Sequence, residues 1–79
     1  MMPAQKVANG ERPSLLDVVA LLTEFSDHRL VRGQVGTIVE ELDGNTSLVE
    51  FCDDQGRAYA IAPCPKDNLL VLHYFPEAA

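Results

Sequence analysis

The sequence predicts a small, mainly β domain, and three observations carry that prediction. Two turn signals, Asp43-Gly44-Asn45-Thr46 and Asp53-Asp54-Gln55-Gly56, separate runs of alternating apolar residues, which is the pattern of consecutive hairpins. Gly33 and Gly36 lie three apart at the entry to the β-branched run Val35-Gly36-Thr37-Ile38-Val39. They read as a tight turn followed by a bulge or bend. The apolar stretches from Val18 to Leu22 and from Leu69 to Leu72 suit strands in length and are short for helices.

Taken in order, residues 1–13 carry Pro3, Asn9, Gly10 and Pro13 with little apolar pattern and read as a flexible or loosely docked tail. Ser14-Leu15-Leu16-Asp17 reads as a short helical turn with Ser14 as its cap. The first strand is expected over 17–23, followed by a polar loop from Glu24 to Arg29. The second runs over 35–42 with Ile38 on one face and Val35, Thr37 and Val39 on the other. The third is Leu48–Cys52 and the fourth Arg57–Ile61. Ala62-Pro63-Cys64-Pro65 is expected to stop pairing, because proline cannot donate to a ladder. Pro65–Asn68 fits one 3₁₀ turn, Leu69–His73 is the last strand, and 76–79 is tail.

Five short strands, a long first loop, two tight hairpins and a short 3₁₀ turn before the last strand describe a five-stranded SH3-like barrel over 14–75. Its expected core is Val18, Ala20, Leu22, Val35, Ile38, Val49, Phe51, Ala60, Leu70 and Leu72.

Seventy-nine residues allow one domain. A chain this small buries only about 60% of its unfolded surface. An apolar content of 47% partly offsets that and favours burial against a second copy or a partner. No signal peptide is read: Lys6 is followed only by Val7-Ala8 and then Asn9-Gly10. No apolar run approaches the roughly 20 residues of a membrane helix. The expected compartment is the cytoplasm, with no membrane partner.

The net charge is −6, and the six basic residues are scattered. Nucleic-acid binding runs on neutralising phosphates with Lys and Arg, so this balance disfavours it. Glu40-Glu41 and Asp53-Asp54 are solvated surface or an acidic face for a basic partner.

No catalytic set emerges, and the chain is read as a non-enzyme without cofactor. Cys52 and Cys64 are expected to be free, buried thiols. With His28 and His73 they lack the spacing of a zinc site, so no metal is expected. His28 falls in a loop and His73 at the end of a strand, which builds no Ser/Cys–His–carboxylate arrangement. Glu40 and Glu41 are strand neighbours on opposite faces and form no acid–base pair. Gly33-Gln34-Val35-Gly36 lacks the lysine and helix of a phosphate loop. Asp53 and Asp54 are expected to make turn hydrogen bonds.

Binding is the remaining chemistry. Phe51 belongs in the core, Tyr59 faces either way, and Phe25, Tyr74 and Phe75 are hard to bury in so small a barrel. Exposed aromatics mark contact sites. With Glu40 and Asp54 supplying charge, these six residues are the candidate partner-binding set.

Five blocks carry a family resemblance: Leu15-Leu16-Asp17-Val18-Val19-Ala20-Leu21-Leu22, Val31-Arg32-Gly33-Gln34-Val35-Gly36-Thr37-Ile38-Val39-Glu40, Val49-Glu50-Phe51, Asp54-Gln55-Gly56-Arg57-Ala58-Tyr59-Ala60 and Asp67-Asn68-Leu69-Leu70-Val71-Leu72. Over about 15–73 the chain resembles the small bacterial family catalogued as domain of unknown function 4926. That resemblance implies a single SH3-like domain and carries over no catalytic residues. Some members are encoded beside small toxin-like proteins, which implies an antitoxin or immunity-like partner of a basic toxin. Pro63-Cys64-Pro65 and the N-terminal prolines are less typical of the family. Val31 to Val39 is also similar to the KOW module, which implies the rival reading, a nucleic-acid-associated domain working through Arg29, Arg32 and Arg57. A third expectation is a small structural subunit of a larger complex. Edge strands also allow a homodimer.

Overall fold

The computed structural model describes residues 11–73. Five strands form one antiparallel sheet: β1 (Val18–Leu21), β2 (Val35–Glu41), β3 (Thr46–Cys52), β4 (Ala58–Pro65) and β5 (Leu69–Val71). Two 3₁₀ turns, Ser26–His28 and Lys66–Asn68, are the only helical elements among the described residues. The chain is therefore mainly β, with a 3₁₀ turn directly ahead of the last strand.

The sheet order is β4-β3-β2-β1-β5. Strands β1 to β4 form a meander, and β5 returns to pair with β1. β4 and β5 are thus the two edges, joined by the second 3₁₀ turn. The N–H of Leu22 donates to Asn68 (2.8 Å) and that of Lys66 to Asn45 (2.8 Å), so this turn is tied both to the end of β1 and to the β2–β3 turn.

The buried hydrophobic strand residues lie on one face, Val19, Leu21, Ile38, Val49, Phe51, Ala62, Cys64, Leu69 and Val71, together with the buried Gly36 and Ser47. The register aligns them in cross-strand rows. Ile38, Val49 and Ala62 are one row, and Val71, Val19, Gly36 and Phe51 another. No second sheet or long helix covers this face among the described residues. Leu30, from the β1–β2 loop, is fully buried with it, and Phe25 packs against it. Phe25 and Leu30 exchange both backbone hydrogen bonds (2.9 and 3.1 Å), which staples the loop over the core.

The core corrects the expectation in β1 and β5. Val18, Ala20, Leu22, Leu70 and Leu72 were expected inside, but their neighbours Val19, Leu21, Leu69 and Val71 are. Val35 is likewise outside, and Ala60 is half-buried. Both faces of these strands are apolar, so composition does not set the phase. Pairing sets it, through Val19 opposite Gly36.

Gly36 shows why. A Cβ there would sit 2.7 Å from Val49 Cγ1, 2.8 Å from the Glu50 carbonyl oxygen and 2.9 Å from Phe51 Cδ2. The position lies in the ladder opposite Phe51 and makes room for its ring. It is not a bulge, contrary to expectation. The bulge falls at Val39, between Ile38 and Glu40. Gly33 does form the expected turn, at φ +93°, where a side chain is strained.

Both hairpins lie where the turn signals put them. Asp43 Oδ1 accepts from the Asn45 N–H (2.7 Å). In the second turn Asp53 Oδ1 accepts from the N–H groups of Gln55 (2.8 Å) and Arg57 (2.9 Å). Strand β4 departs from expectation, since it stays paired with β3 through Ala62, Pro63, Cys64 and Pro65. The prolines are two apart and therefore share one orientation. As an edge strand tolerates proline where the missing N–H faces away from the ladder, both can be accommodated. Ser14–Asp17 is a turn rather than a helical one, with Leu16 at φ +72° and the Asp17 N–H donating to Ser14 O (3.0 Å). Glu11–Pro13, assigned to the tail from sequence, lies against the sheet: Pro13 is buried and its carbonyl accepts from Lys66 Nζ (3.1 Å).

Candidate functional site

Of the six expected binding residues, the four that lie among the described residues, Phe25, Glu40, Asp54 and Tyr59, sit on different elements. Phe25 is half-buried and committed to the core, so it is not a free anchor. Tyr59 is half-exposed. Its ring lies 6.4 Å from that of Phe51, and its hydroxyl accepts from Gln34 Nε2 (2.9 Å), which links the β3–β4 hairpin to the β1–β2 loop. Asp54 is exposed in the β3–β4 turn, and Glu40 is exposed near the far end of β2. Tyr74 and Phe75 lie outside the described residues.

What sequence reasoning missed is the outer face of β5–β1–β2. Ala20 stands opposite both Leu70 and Val35, giving an apolar row across three strands. Leu70 is 40% exposed and Val35 42%. Leu22, just beyond β1, is also exposed, and Val18 and Leu72 are half-buried. The signal was present in the sequence: near-continuous apolar runs belong to strands covered on both faces, yet this fold covers one.

The electrostatics of the sheet are one-sided. No strand contains Lys, Arg or His, whereas β2 and β3 carry Glu40, Glu41 and Glu50. Glu40 faces out. Glu41 turns toward the inner face, because the Val39 bulge shifts the alternation and sets Glu41 opposite the fully buried Ser47. There Glu41 Oε1 lies 2.7 Å from Lys66 Nζ and accepts from Ser47 Oγ (3.2 Å). The Lys66 bond holds the Glu41 carboxyl below its ordinary value. This cluster ties the β2–β3 rim to the second 3₁₀ turn and to Pro13, and every buried side-chain N or O atom among the described residues has a partner. It reads as structure.

The thiols are unsuited to attack. Burial pushes Cys64 up to about 11. Cys52, expected to be buried, is exposed at the end of β3; partial desolvation and then the Glu50 carboxylate raise it. Both cysteines are free, as expected. His28 is exposed, and His73 Nε2 lies 2.7 Å from Glu11 Oε1. Among the described residues no three His, Cys, Asp or Glu side chains come together as a metal set. No helix among them is long and apolar enough to cross a membrane.

With this geometry fixed, the family model for a domain of unknown function, number 4926, matches residues 15–71. The chain belongs to that family. The matched span of this 4926 domain begins at the Leu15-Leu16 turn and ends with β5, so it contains all five strands. No curated protein and no solved structure matches the chain.

Proposed function

We propose that this 4926 domain is a non-enzymatic protein-binding module of the cytoplasm that occludes a basic partner in the manner of an antitoxin or immunity protein. One observation carries the reading: an uncovered apolar sheet face, Leu70-Ala20-Val35, on a sheet whose strands hold carboxylates and no cation. Monomeric soluble domains rarely leave large contiguous apolar patches uncovered, and acidic surroundings select cationic partners and speed their encounter. Two free thiols are consistent with a reducing compartment. Their raised pKa values support a non-catalytic role.

The test is capture of partners by the tagged protein from its native lysate, with light scattering on the eluate. One small basic protein in stoichiometric amount, inhibited in its own activity by the complex, is the expected result. Recovery of the bait alone would overturn it. The nucleic-acid reading has one supporting observation: Gln34 and Tyr59 hold together the loops that carry Arg32 and Arg57. It predicts salt-sensitive binding of RNA or DNA, and a flat titration at low salt removes it.

A further inference from the structure

We propose that the free edge of β5, with the apolar row beside it, takes an extended cationic segment of another protein by strand addition. This rests on the protein-binding reading and specifies its surface and mode. The two edges of the sheet are not equivalent. On β4, Pro63 and Pro65 remain in register with Leu48 and Thr46. Their nitrogens occupy two successive outward positions, so over that half of β4 an added strand finds no N–H donor, and Ile61 is the nearest residue that turns one outward.

Among the described residues nothing pairs with the outer edge of β5. The Leu72 N–H donates to Val18 O (2.8 Å), so alternate residues of β5 point theirs toward β1. Leu69 and Val71 therefore point theirs away. Leu69 donates to Lys66 O within the 3₁₀ turn, while among the described residues no acceptor takes the Val71 N–H. Side chains of an added strand alternate between faces. Those on the outer face would extend the row Leu70-Ala20-Val35 by one strand and shield Leu70 at its end.

Charge selects the occupant. Asp67 precedes β5 and Glu11 reaches its far end at His73, both exposed, and Glu24 follows Leu22. Of the nearby cations, Lys66 is engaged with Glu41 and Arg12 with the Gly44 carbonyl, while Arg32, exposed beside the turn that bonds to Leu21, sits at the other end of the row from β5. A second copy would bring another net charge of −6 to an edge only three residues long. An extended segment with apolar residues at alternate positions and lysine or arginine between them fits both the edge and the field.

The probe is a short peptide of alternating valine and lysine, titrated into isotope-labelled full-length protein and followed by backbone amide NMR. Saturable shifts are expected at Val71, Leu70 and Ala20, with the Val71 amide becoming protected from hydrogen exchange. Leu70→Lys should weaken binding by at least about tenfold. Ile61→Lys, on the outer face of β4, should leave it unchanged. Shifts centred on β4 or on the Asp53–Arg57 turn would overturn the proposal. So would a dimer of the free protein with Val71 already protected, which assigns the edge to a second copy. A partner from the lysate that Leu70→Lys still binds with full affinity would overturn this surface while leaving the protein-binding reading intact.

Discussion

Replacing Gly36 with alanine should destabilise the fold more than any other single-methyl addition at a described glycine outside the positive-φ turns. The new Cβ would lie under 3.0 Å from three atoms at once. Two belong to side chains with no exposure, Val49 and Phe51, and the third is the Glu50 carbonyl oxygen. Val49 is β-branched and stiff at χ1, and the backbone oxygen moves only if β2 and β3 separate. Forcing an extra methyl into a filled core costs about 1–3 kcal/mol. In a domain of this size each kcal/mol shifts Tm by roughly 4–8 °C, so a fall of roughly 4–24 °C is expected. Gly44→Ala is the control, since its Cβ would meet nothing within 4 Å and its φ is not positive. That change should stay within about 0.5 kcal/mol. Far-UV circular dichroism during heating and in urea reads both. Equal stabilities for the two variants would refute the account of Gly36 as the place that admits the Phe51 ring. Val49→Ala combined with Gly36→Ala should show positive coupling but incomplete rescue, because the Glu50 oxygen remains.

Three further outcomes follow from local geometry. Leu16 sits at φ +72° with its side chain mostly in solvent; Leu16→Gly removes a left-handed penalty of about 1–2 kcal/mol against a glycine entropy cost of about 0.5–1 kcal/mol. A gain of up to about 1.5 kcal/mol in urea unfolding is expected, and a loss would show that the Leu16 side chain holds the turn. The lowered Glu41 pKa contributes stability present above its ordinary 4.5 and lost as pH falls through the lower folded value; Lys66→Met should therefore lower stability at neutral pH and approach the wild type on acidification. In the native protein one thiol, Cys52, should react with a disulfide reagent at alkaline pH, while Cys64, raised to about 11 and fully buried, reacts only after unfolding.

The hairpins were legible because their chemistry is local. Asp53 organises its turn through its own carboxylate, and Asp43 does the same with Asn45. The sequence also marks Ile38, Val49 and Phe51 as core, where the strands alternate. In β1 and β5 it loses the phase, since Val18-Val19-Ala20-Leu21-Leu22 is apolar on either reading and a one-residue slip exchanges the faces. Only the long-range fit of Val19 against Gly36 decides. Leu30 was invisible for a different reason: a loop residue enters the core through its bridge to Phe25, and no periodicity records that. Prolines 63 and 65 looked like a stop because proline was counted without its orientation. Spacing of two is the signature of an edge. The candidate surface went unread because the same apolar residues that compose it were assigned to the interior.

The Val39 bulge bears on how the length of this chain can vary. On one side of it Ile38 pairs with Val49, and on the other Glu40 pairs with Leu48 and Glu41 with Ser47. A variant lacking one residue here would straighten β2 and keep every one of those pairs, including the Glu41–Lys66 contact. Loss of Ile38 is absorbed in the same way, because Val39 then takes its place opposite Val49, and loss of Glu41 is absorbed if the bulge straightens and Glu40 moves opposite Ser47. Single deletions at Ile38, Val39 or Glu41 should accordingly be tolerated better than deletion of Gly36, whose place admits no side chain, and the adjacent Glu40-Glu41 pair keeps a carboxylate at the rim if the ladder slips by one.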